Sequence, residues 1–146
     1  MVNKTTVKAK PTASINTKNT KINLDYLTDP RGWRLINVTS SKPCDINNDG
    51  ILTTDTKSEM PLCMLDDTLF IKKETHIAFY KRGINCCDDP TDNTYNWTLK
   101  ETIFTMSQGG IDDALHIQSL NGTEMTVTTN MEAQGEIYRF TVVFGH

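Results

Sequence analysis

Residues 95–129 read YNWTLKETIFTMSQGGIDDALHIQSLNGTEMTVTT. Tyr95, Trp97 and Leu99 alternate with Asn96, Thr98 and Lys100. That period of two puts one face of a strand on a core and the other in water. Thr102–Ser107 continues as a second extended run, Gln108-Gly109-Gly110 turns the chain, and Ala114–Leu120 returns. Asn121-Gly122 then separates this run from Glu124–Thr129. Asn-Gly between alternating runs is the strongest short-range hairpin signal. Four strands joined by tight turns define an antiparallel meander.

Working outward, the same chemistry recurs on both sides. Trp33–Thr39 places Trp33, Leu35 and Asn37 on one face and Ile36 and Val38 on the other. Asp67–Lys73 sets Leu69 and Ile71 against Phe70, and Thr75–Lys81 sets Ile77 and Phe79 against His76, Ala78 and Tyr80. Asp88-Asp89-Pro90-Thr91-Asp92-Asn93 reads as a loop, and Gly135–Phe144 as a last strand. Leu24–Pro30 has apolar residues at helical spacing with Pro30 as a stop, so it predicts one helical turn. The expectation is an all-β protein, an eight-stranded antiparallel up-and-down barrel that removes its own edges. A two-sheet β-sandwich is the alternative, because strand count alone does not separate the two.

Composition bounds the rest. At 146 residues the chain suits one domain. Residues 1–24, rich in Thr, Lys and Asn, are too poor in large apolar side chains to offset their ordering entropy and predict a disordered basic linker before a barrel at 25–146. Residues 1–23 carry five lysines and no acid; with a chain total of −3, the remainder carries −8. An acidic body excludes the phosphate neutralisation on which nucleic-acid binding depends. No apolar run reaches the roughly 18 residues of a membrane helix. Met1-Val2-Asn3-Lys4-Thr5 lacks an export signal's apolar stretch. Four cysteines nevertheless predict an exported chain whose signal has been removed.

Cys44-Asp45-Ile46-Asn47-Asn48-Asp49-Gly50 offers a hard oxygen at every second position, then a glycine for a sharp turn. That is the opening half of a calcium loop. Asp45, Asn47 and Asp49 would give side-chain oxygens, Ile51 its carbonyl, Thr53 an oxygen directly or through water, and Asp55 the closing ligand. The twelfth position, where a helix–loop–helix hand carries a bidentate Glu, is Thr56. The expectation is therefore a structural calcium of weak, extracellular-type affinity, on the order of 10⁻⁴ M. An Asx-rich turn with Gly50 in the left-handed region is the ion-free alternative.

Four cysteines allow three complete pairings. A bond between adjacent Cys86 and Cys87 makes a strained ring, so one is expected to pair with Cys63 and the other with Cys44, the choice being open. A zinc site of four thiolates lacks the usual Cys-x-x-Cys spacing. The aromatic positions Trp33, Phe79, Trp97, Phe104, Tyr138 and Phe140 could line a cavity for a small apolar ligand, or fill the barrel as its core. His76 and His116 sit singly in strand-like runs, and no nucleophile elbow, zincin helix or phosphate loop occurs, so no enzyme is expected.

Arg31-Gly32-Trp33-Arg34-Leu35 at the first strand resembles the start of lipocalins. The order that follows is similar to small bacterial lipocalin-like domain proteins: an Asp-Asn-Asp-Gly type loop, Cys63 with Asp66, Asp67 and Phe70, then Cys86 or Cys87, then Tyr95-Asn96-Trp97-Thr98-Leu99 and Tyr138-Arg139-Phe140-Thr141-Val142. The usual Phe-Asp-Gly at the end of the second strand is replaced by Lys72-Lys73-Glu74-Thr75-His76. The resemblance implies an eight-stranded barrel, export to the cell envelope, and lipid anchoring upstream. The functional expectation is a monomeric binding protein that carries or senses a small apolar molecule. The alternative is an envelope or extracellular protein-interaction module with a filled barrel and a calcium-braced loop.

Overall fold

The computed structural model describes residues 21–83, 94–133 and 135–146. Asn23 opens α1, Leu24–Leu27, its Oδ1 accepting the Asp25 N–H at 2.9 Å. The chain then turns through Asp29–Gly32, where Gly32 has φ +75°. A Cβ there would lie 2.6 Å from Thr68 Cγ2 and 3.1 Å from the Leu69 carbonyl, so only glycine fits.

The strands are β1 Trp33–Cys44, β2 Thr53–Asp55, β3 Thr68–Lys72, β4 Ile77–Lys81, β5 Thr94–Lys100, β6 Ile103–Gln108, β7 Ile111–Leu120, β8 Glu124–Ala133 and β9 Glu136–Gly145. β1 and β3 to β9 pair antiparallel in that order, and β9 pairs back onto β1 through Arg34↔Gly145 to Ser40↔Phe140. The result is a closed eight-stranded up-and-down barrel, as the alternating runs predict. β2 hangs outside the ring on β1. It belongs to the β1–β3 connection together with a 3₁₀ turn, Thr56–Glu59, and α2, Leu62–Leu65. Sequence periodicity did not foresee these three short elements.

Topology sorts the connections to two ends. α1, the β3–β4, β5–β6 and β7–β8 turns and the end of β9 gather at one; the β1–β3 connection and the β6–β7 and β8–β9 turns gather at the other. The first end is plugged. Trp33, 1% exposed, donates its indole N–H to the Leu27 carbonyl at 2.9 Å and packs against His146, the rings tilted by 31° with centroids 4.2 Å apart. Arg31 ties this plug to the β7–β8 turn by donating to the Gly122 carbonyl at 2.9 Å. At that turn Asn121 Oδ1 accepts the N–H groups of Thr123 and Glu124, the local chemistry that makes Asn-Gly a hairpin signal.

One seam departs from a continuous ladder. β1 pairs with β3 only at Trp33 and Arg34, and with β2 only from Thr39 onward. Between them the Ile36 carbonyl accepts from Lys57 Nζ at 2.6 Å and the Val38 carbonyl from the buried Thr56 hydroxyl at 3.0 Å. The Val38 N–H finds Asn37 Oδ1 at 3.0 Å. Side chains thus satisfy the backbone where no strand does. A register shift between Leu35 and Asn37 also turns Val38 and Ser40 inward, correcting the sequence expectation that Val38 faces away from Leu35.

Candidate functional site

Cross-strand partners share a face, so register fixes the lumen. Leu69 faces Trp33 and Tyr80; Ile71 faces Ala78, which faces Tyr95. Trp97 faces Met106, Met106 faces Asp113, and Leu99 faces Phe104, which faces Leu115. Ile117 faces Val127, and β9 contributes Tyr138, Phe140, Val142 and Phe144.

The lumen divides into halves. Toward the plugged end Leu27, Trp33, Leu69, Trp97, Phe104, Ile117, Met125, Val127 and Phe144 form one buried cluster. Trp97 is locked there, its indole donating to the Lys72 carbonyl at 3.0 Å and its ring stacked on His76 at 4.6 Å. A second cluster of Val38, Cys44, Tyr138 and Phe140, covered by Met60, lines the β1–β9 side toward the open end. On the other side of that end the inward positions stay accessible. Asp113 is exposed, Met131, opposite Tyr138, is 56% exposed, and Tyr80, Tyr95, Leu115 and Thr129 are half-buried. Tyr80 and Tyr95 meet edge to face at 6.2 Å. Burial first, then Tyr95, Asp113 and Asp67, push the Tyr80 hydroxyl up to about 12.

The aromatic expectations therefore separate. Trp33, Trp97 and Phe104 are core of the packed half, and Tyr138 and Phe140 belong to the side cluster. Phe79 is corrected: it points out of the barrel and stacks on Phe70 at 5.3 Å, while Ala78 and Tyr80 face inward. Alternation gives two faces and does not say which is inside; Ile77 and Phe79 were the more apolar choice. Tyr80 escaped notice as a lumen residue for that reason, and Asp113 because β7 begins at Ile111, before the expected start at Ala114.

The Asp-Asn-Asp-Gly loop lies at the open end, on the β1–β3 connection. Asp45 accepts the N–H of Asp49 at 3.1 Å and of Gly50 at 2.8 Å; Asp49 accepts the Ile51 N–H at 2.8 Å and an Asn47 amide hydrogen at 3.1 Å. Gly50 has φ +86°. Carboxylate oxygens of Asp45, Asp49 and Glu59 lie within 4.8 Å of one another. Glu59, from the 3₁₀ turn, also accepts the Ile46 N–H at 2.9 Å. It was missed because it stands beyond the spacing of a standard hand. Thr53 and Asp55 are instead in β2, where Thr53 Oγ1 accepts the Asp55 N–H and both residues pair with β1. Ile51 is largely exposed. An all-oxygen set of three carboxylates fits a hard divalent cation.

The predicted bridge at Cys44 is not formed. Cys44 is a free thiol buried against Val38, Tyr138 and Phe140, with its Sγ 3.5 Å from Ser40 Oγ. The physical reason is that β1 runs on to Cys44 and turns the side chain into the barrel wall rather than toward the loop. Cys63, buried on α2, is disulfide-bonded, and Cys86 and Cys87 lie outside the described residues. At the plugged end, hydrogen bonds from the side chain and backbone of Arg31 hold the Asp29 carboxyl well below its usual range, with His146 adding to the effect. An open groove of about 560 Å³ at that end, lined by Ile22, Leu24, Lys73, Leu99 and Glu101, lies apart from the open half of the lumen. No described helix is long and apolar enough to cross a membrane.

Solved structures similar to the chain include bovine odorant binding protein with a selenium-containing odorant, at 14% identity and TM-score 0.46 over 86% of this chain and 73% of that one. The same protein with undecanal matches at 14% identity and TM-score 0.45, over 86% and 74% of the two chains. None of the curated proteins compared with the chain matches it significantly. A family model described as a lipocalin-like domain matches residues 32–127, more than half of the chain. This chain belongs to the lipocalin-like domain family.

Proposed function

We propose that this protein is an exported, non-enzymatic binding protein that takes a small, largely apolar molecule into the open half of its barrel. The observation that carries the reading is the contrast within the lumen. Side chains fill the plugged half, whereas inward-facing Tyr95, Leu115, Thr129 and Met131 keep access to solvent in the other. A concave, mostly apolar site with a few polar groups is what small-molecule binding requires. Members of the lipocalin-like family bind small hydrophobic ligands, which supports the same reading. The test is titration with the fluorescent apolar probe N-phenyl-1-naphthylamine, in the wild type and in Leu115→Trp, which fills the open half. Saturable binding that weakens at least tenfold in the variant supports a lumen site; equal binding in both places the probe elsewhere and refutes it.

A second reading, docking to an envelope or extracellular protein, draws on the apolar rim of the β1–β3 connection. Ile51, Leu52, Leu62 and Met64 are all exposed there, Leu62 at 76%. In either case calcium on Asp45, Asn47, Asp49, the Ile51 carbonyl and Glu59 would brace that connection, replacing Asp55 of the sequence expectation by Glu59. With a dissociation constant near 10⁻⁴ M, 1 mM calcium would stabilise the fold by about 1.4 kcal/mol. That raises the melting temperature by about 3–6 °C. Asp49→Ala should remove this increment and cost little in a chelator. Equal losses with calcium and with chelator would mean that the loop is only a turn.

A further inference from the structure

Apolar exposure on this barrel is concentrated at one end. Of the ten large apolar side chains exposed among the described residues, eight stand around the open mouth. Ile46, Ile51, Leu52, Leu62 and Met64 belong to the β1–β3 connection. Elsewhere on the rim Ile111, 71% exposed, opens β7, and Met131 and Ile137 flank the β8–β9 turn, Ile137 at 67%. An apolar rim of this kind marks a contact surface, whereas singly scattered side chains would not. The same end holds the acidity of the body. Asp45, Asp49, Asp55, Glu59, Asp66 and Asp67 lie on the β1–β3 connection, and Asp112, Asp113, Glu132 and Glu136 beside the β6–β7 and β8–β9 turns. Against these ten carboxylates stand five cations, Lys42, Lys57, Lys81, Arg82 and Arg139. Lys42 is held by Glu136 at 2.7 Å, and Lys57 by the Ile36 carbonyl at 2.6 Å. At the plugged end six described cations meet five carboxylates, so the excess negative charge sits at the mouth. Acid and apolar positions also interleave. Asp112 follows Ile111, Glu136 precedes Ile137, and Glu132 lies opposite Ile137 in the ladder.

We propose that the open end docks a basic amphipathic helix of a partner protein, its apolar side chains seated on the rim and its lysines or arginines on the carboxylates between them. The proposal rests on the reading of the β1–β3 rim as a protein-docking surface and names what docks there. Burial of one apolar face supplies the attraction, as wherever an amphipathic helix lies in a groove. The interleaved acids select the charge of the partner, because like charges brought together at an interface are strongly unfavourable. Other occupants fit this end worse. A second copy docked mouth to mouth would set the acidic rim against itself, and an anionic membrane surface repels it. Residues 1–20 are basic, but Met1, Val2, Val7 and Ile15 are too few and too scattered to make an apolar face.

The test uses fluorescein-labelled peptides of one length, built from leucine and lysine, leucine and glutamate, or serine and lysine, with binding read by anisotropy. Vesicles of phosphatidylcholine, with and without phosphatidylglycerol, are a separate probe, read by sedimentation. The proteins are the full-length wild type, the rim variant Leu62→Ser with Ile137→Ser, and the charge variant Asp112→Asn with Glu132→Gln. Tyr26→Ser and Glu124→Gln, both at the plugged end, are the controls. The leucine–lysine peptide should bind at least tenfold tighter than either other peptide. Its affinity should fall at least fivefold in the rim variant, fall at least threefold in the charge variant, and stay within twofold in the controls. Circular dichroism establishes that each variant is folded, and the rim and charge variants are independent of one another. Equally tight binding of the leucine–glutamate peptide, with both weakened in the rim variant, overturns the proposal and leaves the rim standing as a docking surface. Vesicle binding that the rim variant loses, without any preference among peptides, overturns it in favour of a membrane. Failure of every peptide to bind, or binding that ignores the rim variant, overturns both the proposal and the docking reading.

Discussion

Trp33 is the side chain on which the plugged end turns, and its replacement separates two contributions. It is 1% exposed, its N–H meets the carbonyl of fully buried Leu27, and its ring lies on His146. Trp33→Ala removes the ring and leaves a void bounded by Leu27 and Leu69, so it should cost about 3–5 kcal/mol. For a domain of this length that is a fall of about 6–20 °C in melting temperature. Trp33→Phe keeps an aromatic surface but orphans the Leu27 carbonyl, a loss of about 1–3 kcal/mol. Urea unfolding followed through the fluorescence of Trp97, the remaining tryptophan, measures both. Because Trp33 lies in the packed half, probe affinity in the open half should change less than twofold in whatever remains folded. A cost below about 1 kcal/mol for Trp33→Ala, or equal costs for the two variants, would refute the account of the plug.

Two further outcomes follow from the same geometry. Cys44 should resist alkylation in the native protein and react on unfolding, and Cys44→Val should change stability by less than about 1.5 kcal/mol; peptide mapping without reduction checks the first and urea titration the second, and rapid native alkylation would contradict a buried free thiol. The Asp29 carboxyl is held below its unfolded value, so its stabilising effect is fully present above about pH 4 and is lost as pH falls; the stability gap between wild type and Asp29→Asn should be constant from pH 5 to 7 and close in acid, and a gap independent of pH would show that Arg31 does not favour the charged form.

Much of this architecture was legible because strand periodicity and turn chemistry are local. Asn121-Gly122, Gln108-Gly109-Gly110 and the alternating run around Trp97 each announce themselves within a few residues. What stayed hidden depends on distant partners. Phe79 and Tyr80 are equivalent by alternation until Phe70 and Leu69 take their places opposite them. The shift after Leu35 that turns Val38 inward is set by pairing with β9, about a hundred residues away. The aspartate loop was readable up to Asp49, but Glu59 joins it only because Thr56–Glu59 coils back as a 3₁₀ turn. Cys44 shows the same limit, since spacing offers a partner while the direction of β1 withholds it.

The stretch of β1 between its β3 and β2 pairings gives the barrel an uneven mechanical character. Along the long β6–β7 and β8–β9 pairings the wall yields only if a run of cooperative ladder bonds breaks together. Here the Ile36 and Val38 carbonyls are held by a lysine ammonium and a threonine hydroxyl, each on its own rotatable side chain. Rotation about a few single bonds is a nanosecond event, whereas unzipping a strand is a cooperative one. The wall can therefore breathe along this line without unfolding. The turn that supplies the threonine and the lysine also ends in Glu59, so whatever steadies the aspartate loop also stiffens the side of the barrel.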